Sequence, residues 1–160
     1  MSDNKTITRA EGRDLFLTRV IDAPPEKVYK AWTDTKLMEQ WFCPRPWYVK
    51  VISNDVRSGG ASFMTIHGPN GEEFPNPGVY LDVVPNKRIV MTDAFTRAWE
   101  PSEKPFMVAD ITFDDFGGKT KYSAHVRHWS VEDREAHEKM GFHDGWSKAT
   151  EQLAELLEAR

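Results

Sequence analysis

The sequence contains no long apolar run, only one cysteine and no strong excess of charge of either sign. A membrane-spanning helix needs about 20 consecutive apolar residues, so we expect no membrane span. The net charge of −4 is spread along the chain and supplies no footprint for phosphate backbones, which excludes nucleic acid as an expected partner. Cys43 cannot form an internal disulfide, and residues 1–14 hold no hydrophobic secretion signal. These absences predict a cytoplasmic location.

Sequence motifs typical of catalytic sites are also missing. There is no Gly-x-Ser-x-Gly, no Gly-x-x-x-x-Gly-Lys and no Cys-x-x-Cys. Asp133 and His137 are spaced for one helical face, as an ion pair or half of a metal site, but further ligands at suitable spacing are lacking. We therefore predict no cofactor and no metal, and favour non-enzymatic binding while leaving enzymatic activity open.

Aromatic residues, in contrast, are abundant: the chain has six Trp and nine Phe. Aromatic side chains carry large apolar area, and this number exceeds what the core of a small domain needs. We expect some of them to face a cavity.

The length of 160 residues suits one domain, which we place at 14–160 after a flexible N-terminus at 1–13. A β-branched, apolar segment at 15–21 predicts a strand that ends before Pro24 and Pro25. Val28, Ala31 and Trp32 then recur at helical spacing. A second short helix is predicted to begin at Asp34, whose carboxylate suits an N-cap.

Between Trp47 and Trp129, short alternating runs are separated by turn signals such as Ser58-Gly59-Gly60 and Gly117-Gly118. This pattern is typical of an antiparallel meander. We predict strands near 47–54, 61–67, 78–84, 87–95, 106–114 and 119–128, about seven with the first. The segment 97–104, which includes Trp99, is predicted to be an exposed loop.

The C-terminus carries the strongest helical pattern. Its apolar stripe consists of Phe142, Trp146, Ala149, Leu153 and Leu156, and its predicted solvated face of Glu151, Gln152, Glu155 and Glu158. The stripe must bury against the sheet, which predicts an α+β fold with a curved antiparallel sheet wrapped around this helix. Gly141 and Gly145, one turn apart, indicate either close packing or a kink, or else a widened pocket.

Several segments together resemble a known superfamily. They are Arg19-x-Ile21-Asp22-Ala23-Pro24, Ala31-Trp32-Thr33-Asp34, Trp41-Phe42-x-Pro44, Asp55-x-Arg57-x-Gly59-Gly60, Gly68-Pro69-Asn70-Gly71 and Gly141-Phe142-x-x-Gly145-Trp146. Over residues 14–158 the chain is similar to the SRPBCC or START-related superfamily and, within it, to the family of homologues of the activator of the heat-shock-protein-90 ATPase. The resemblance implies a helix-grip fold, with two short helices after the first strand, and a hydrophobic cavity. At Cys43 the chain departs from the glycine that the family often carries.

The expected cavity defines a set of candidate residues. Strand alternation turns Tyr122 and His128 inward on one strand, and Met107 and Ile111 inward on its neighbour. The full predicted lining is Trp41, Trp47, Phe63, Tyr80, Phe95, Met107, Ile111, Tyr122, His128, Met140 and Phe142. His128 and Tyr122 are also candidates for proton transfer, although a histidine at a strand end more often satisfies a local carbonyl.

Three functions remain open from the sequence. The favoured one is binding of a small hydrophobic molecule in the cavity. The second is an enzyme of the polyketide-cyclase or aromatase type, and the third is a protein-interaction module with a chaperone partner, suggested by the resemblance alone. A homodimer is a further candidate assembly.

Overall fold

The computed structural model describes residues 5–97 and 99–158. Its ten strands are β1 (Ile7–Glu11), β2 (Asp14–Ile21), β3 (Tyr48–Asn54), β4 (Ala61–His67), β5 (Glu73–Val84), β6 (Arg88–Thr92), β7 (Phe95–Arg97), β8 (Glu100–Pro101), β9 (Met107–Phe116) and β10 (Lys119–His128). Its four helices are α1 (Pro25–Thr33), α2 (Thr35–Met38), α3 (Val131–Lys139) and α4 (Phe142–Glu158).

Eight strands form one antiparallel sheet in the order β1-β2-β10-β9-β6-β5-β4-β3, and β7 pairs with β8 in a small separate hairpin. The long helix α4 lies against the sheet, and α1 and α2 follow β2. The α+β helix-grip architecture predicted from the sequence is therefore confirmed, with a larger sheet than the seven strands expected.

Side-chain alternation explains why the inner strands form where they do. In β10 the buried residues include Tyr122, Ala124 and Val126, while Arg127 is exposed. This is the predicted period of two, and it gives the sheet one face for the core. Asp34 caps α2 as expected, since its carboxylate accepts from the backbone N–H groups of Lys36 and Leu37.

Several strand assignments differ from the prediction. Strand β5 begins at Glu73 and not at 78, and the predicted strand 87–95 is divided between β6 and β7. Residues Ile7–Glu11 pair with β2 inside the segment expected to be a flexible N-terminus, and all but one of them are exposed. An exposed edge strand has no buried face, so its sequence shows no apolar alternation. The expected loop at 97–104 contains part of the β7–β8 hairpin. The domain boundary after residue 13 stays a prediction.

The predicted solvated face of α4 is wrong for Gln152, which is only 3% exposed. Glu151 and Glu158, which belong to the same predicted solvated face, both bind Arg19, whose side chain is 6% exposed. The Arg19–Glu151 pair has two N–H···O distances of 2.9 Å, one from Nε and one from Nη2. Polar residues on α4 therefore anchor the helix to the rest of the domain.

Candidate functional site

A cavity of about 550 Å³ lies beside the N-terminal half of α4. Its wall is mainly apolar and includes eight aromatic residues: Trp32, Trp41, Phe42, Trp47, Phe106, Tyr122, Phe142 and Trp146. A small pocket of about 70 Å³ adjoins it and shares Trp32, Phe42, Asn76, Asp93, Met107 and Trp146. The smaller pocket extends the space towards Met64 on β4.

Two glycines keep the helix side of the cavity open. Gly141 and Gly145 both line it, and a Cβ atom added at either position would meet no atom within 4 Å. Close helix–sheet packing would place atoms against these positions. The structure therefore supports the widened-pocket interpretation of the glycine pair.

Few polar groups interrupt this wall. Oδ1 of Asp93 accepts from the backbone N–H groups of Phe106 and Met107, at 2.9 and 3.0 Å. The Tyr122 hydroxyl accepts from Nε1 of Trp32 at 3.0 Å, and burial raises the pKa of this phenol. Asn76 also lines the cavity. Such sparse polar groups among aromatic walls suit a site that orients an apolar molecule.

A pair of buried histidines stands at one end of the cavity. His128 Nδ1 lies 2.9 Å from the carbonyl oxygen of Arg13, and His128 Nε2 lies 2.9 Å from Nδ1 of His137. His137 is 7% exposed and lines the cavity. Burial, reinforced by the nearby imidazoles of His128 and His143, lowers the pKa of His137 to about 4. His137 is therefore neutral at physiological pH.

Aromatic rings fix the plane of the His137 imidazole. Phe106, Phe142 and Trp146 lie with their ring centroids 4.9, 5.1 and 6.0 Å from its own. These contacts come from two separate segments of the chain, the residue before β9 and the helix α4. The ring is consequently held in place by packing as well as by its hydrogen bond to His128.

The segment 41–45 closes another side of the cavity and is tied to α4 by Gln152. The amide nitrogen of Gln152 donates to the carbonyl oxygens of Trp41 and Cys43, at 3.0 and 2.7 Å. Its Oε1 accepts from the backbone N–H of Arg45 at 2.9 Å. Burial raises the pKa of the Cys43 thiol to about 11, so the thiol is unreactive at neutral pH.

The structure brings part of the predicted lining together. Six of the eleven predicted residues line the cavity: Trp41, Trp47, Met107, Tyr122, Met140 and Phe142. Phe63 does not, because its neighbours Ser62 and Met64 face the small pocket and alternation turns Phe63 to the other side of the sheet. The alternation predicted for β4 therefore placed the wrong set of residues on the inner face of the sheet.

Four other predicted residues also lie away from the cavity lining. Tyr80 and Ile111 are fully buried core residues, and the Tyr80 hydroxyl donates to Asn54. Phe95 packs against Trp99, with ring centroids 5.8 Å apart. His128 faces inward as predicted but lies behind His137, because its ring nitrogens meet Arg13 and His137.

Sequence reasoning missed several residues that line the cavity. Trp32 and Trp146 were both predicted on the apolar face of a helix, and this position could have identified them as lining residues. His137 was considered only for an ion pair with Asp133 or for half of a metal site, although a histidine on the helix after the His128 strand end could have suggested a pair of histidines. Asn76 lies outside the predicted strands, and Asp93 lies near the end of the predicted strand 87–95, where a polar residue gave no reason to choose it as lining.

Two kinds of feature are absent from the described residues, a metal-binding cluster and a membrane-spanning helix. Within 5–97 and 99–158, no group of three or more His, Cys, Asp or Glu side chains is arranged to hold a metal ion. In the same part of the chain, no helix has the length and apolarity needed to cross a membrane.

Comparisons with known proteins agree with this fold. A crystal structure of a protein from Nitrosomonas europaea is 34% identical, with a TM-score of 0.87 over 94% of this chain and 97% of the other. A crystal structure from Chromobacterium violaceum is 31% identical, with a TM-score of 0.77 over 91% and 97%. An AHSA1-like protein from Aeromonas hydrophila is 17% identical, with a TM-score of 0.71 over 91% and 92%, which shows the fold alone.

The search of curated proteins found no match. The family model described as activator of Hsp90 ATPase homolog 1-like protein matches residues 22–158, which is most of the sequence. The family resemblance read from the motifs is thus confirmed, and the chain belongs to the activator of Hsp90 ATPase homolog 1-like family.

Proposed function

We propose that the protein binds a small hydrophobic molecule in the cavity beside α4. The observation that carries this proposal is an aromatic-walled space of about 550 Å³ that two glycines leave open. Ligand pockets commonly have volumes of roughly 300–1,000 Å³, apolar walls and a few polar groups that set orientation. The cavity satisfies all three conditions.

The test uses naphthol as a hydrophobic probe and Trp fluorescence as the readout, since four Trp residues line the cavity: Trp32, Trp41, Trp47 and Trp146. Saturable quenching with one site per chain is expected. Gly145→Phe places a ring in the cavity and should weaken binding about tenfold or more. Glu155→Phe is the matched control, because it adds the same ring to a side of α4 where the native side chain is 72% exposed.

The outcome that contradicts the proposal is equally concrete. If naphthol binds Gly145→Phe as tightly as the native protein, the probe binds elsewhere. Native mass spectrometry of protein purified from its own host supplies an independent measurement, in which a co-purifying apolar molecule is expected. Absence of both saturable probe binding and a co-purifying molecule would reject ligand binding.

The cyclase-type alternative has less support. Its candidate groups were His128 and Tyr122, yet His128 lies behind His137, and the raised pKa of Tyr122 keeps its phenol protonated at neutral pH. A protonated phenol cannot act as a general base. Chaperone binding and homodimerisation stay predictions.

A further inference from the structure

We infer that the His128–His137 pair presents a hydrogen-bond acceptor, Nε2 of His137, to the cavity, and that the preferred ligand is an apolar molecule carrying a hydroxyl. This inference rests on the proposed function, which it makes more specific. A chain of hydrogen bonds runs from the Arg13 carbonyl, outside the cavity, through His128 to His137.

The first step fixes the hydrogen on His128. A carbonyl oxygen can only accept, so His128 Nδ1, 2.9 Å from the Arg13 oxygen, must carry a hydrogen. In a neutral imidazole the other nitrogen is then an acceptor. His128 is 3% exposed, and its only side-chain hydrogen-bond partner among the described residues is another histidine.

The second step transfers this orientation to His137. Because His128 Nε2 accepts, the hydrogen in the 2.9 Å contact belongs to Nδ1 of His137. The remaining nitrogen of His137, Nε2, consequently holds a lone pair. The Arg13 carbonyl thus determines the tautomer of His137 through His128, which makes His128 a positioning residue.

The third step concerns the surroundings of the lone pair on Nε2 of His137. No group within residues 5–97 and 99–158 hydrogen-bonds Nε2 of His137, although the residue is only 7% exposed. Its ring lines the cavity between Phe106, Phe142 and Trp146. The buried side-chain atoms without a partner in the described residues are Asn54 Nδ2 and Ser102 Oγ, so Nε2 of His137 is not a fully enclosed atom. An accessible lone pair on the cavity wall can accept a hydrogen bond from the O–H group of a ligand.

Two probes of similar shape test this assignment. Naphthol has a hydroxyl donor, and methoxynaphthalene has only an ether acceptor in its place. We expect the native protein to bind naphthol about tenfold more tightly, since one such hydrogen bond contributes about this factor. His137→Phe should bind both probes with similar affinity, because the acceptor is lost while the aromatic wall is kept.

The His128→Phe variant distinguishes a role of His128 in positioning His137 from a role in packing alone. Without an acceptor at position 128, the His137 tautomer is no longer fixed, so the preference for naphthol should fall while methoxynaphthalene binding stays unchanged. A preference that survives this substitution would overturn the positioning role. Thermal melting of each variant establishes that it is folded.

A third measurement needs no variant to fold. Nitrogen-15 NMR of the native protein at neutral pH distinguishes protonated from unprotonated ring nitrogens, and we expect a protonated Nδ1 and an unprotonated Nε2 on His137. The reverse tautomer would overturn the inference. Equal affinity for the two probes would overturn it as well but leave hydrophobic binding standing, whereas failure of both probes to bind would reject both proposals.

Discussion

Replacing Gly145 with alanine should stabilise the protein, and replacing Gly141 should destabilise it. Both positions have open space for a Cβ atom, so they differ mainly in backbone conformation. Gly145 lies within α4, where alanine in place of glycine contributes about 0.4–1 kcal/mol. Gly141 has φ of +102°, a region that costs an L-residue about 1–3 kcal/mol.

Thermal unfolding measures both changes on one scale. For a chain of this size, 1 kcal/mol corresponds to about 2–4 °C in Tm, so Gly145→Ala should raise Tm by about 1–4 °C. Gly141→Ala should lower it by about 2–12 °C. Each variant serves as the control for the other, because each adds one methyl group to the same side of the cavity.

Loss of stability in Gly145→Ala would refute the reasoning. It would mean that an atom occupies the space beside α4 and that this glycine is needed for close packing. A stable Gly141→Ala variant would instead contradict the left-handed backbone that joins α3 to α4.

Three further predictions concern groups around the cavity. Because the pKa of His137 is lowered from 6.5 to about 4, the unfolded chain takes up a proton first as pH falls, and the free energy of unfolding should decrease by about 3 kcal/mol between these values. Denaturant titrations at several pH values should show this dependence of the free energy of unfolding on pH in the native protein and not in His137→Phe. An equal pH dependence in the two proteins above pH 4.5 would contradict the lowered pKa of His137. Gln152→Leu should lower the free energy of unfolding by about 2 kcal/mol or more, since it leaves three backbone groups unpaired, whereas Glu155→Gln should change it by less than about 0.5 kcal/mol. Cys43, with a pKa of about 11, should react with iodoacetamide at neutral pH roughly a hundredfold more slowly than free cysteine; a rate equal to that of free cysteine would show that the thiol is not buried.

Periodic segments were predictable because one face of each is buried. The predicted spans 61–67 and 119–128 coincide with β4 and β10, and the C-terminal stripe coincides with α4. Edge strand β1 could not be found this way, since pairing with β2 stabilises it through backbone hydrogen bonds that leave no mark on residue type. A local residue pattern indicates which face of an element is buried, so an element without a buried face gives no such pattern.

The cavity lining was harder to predict, because alternation identifies a face without saying what covers it. Ile111 and Met107 share a face of β9, yet Ile111 lies in the packed core and Met107 lines the cavity. The difference lies in what covers each residue, which alternation along the strand does not record. The Gln152 contacts likewise depend on the path of the segment 41–45, which no spacing within α4 reveals.

The way α4 is anchored explains why the cavity stays open. The C-terminal half of the helix is held at both flanks, by Gln152 on the segment 41–45 and by Arg19 on Glu151 and Glu158, with Leu153 fully buried between them. These contacts set the position of the helix relative to the sheet. Because a helix is rigid over this length, its N-terminal half cannot move onto the sheet without breaking them. The space beside Gly145 is therefore maintained by the contacts of the C-terminal half of α4 with Arg19 and with the segment 41–45.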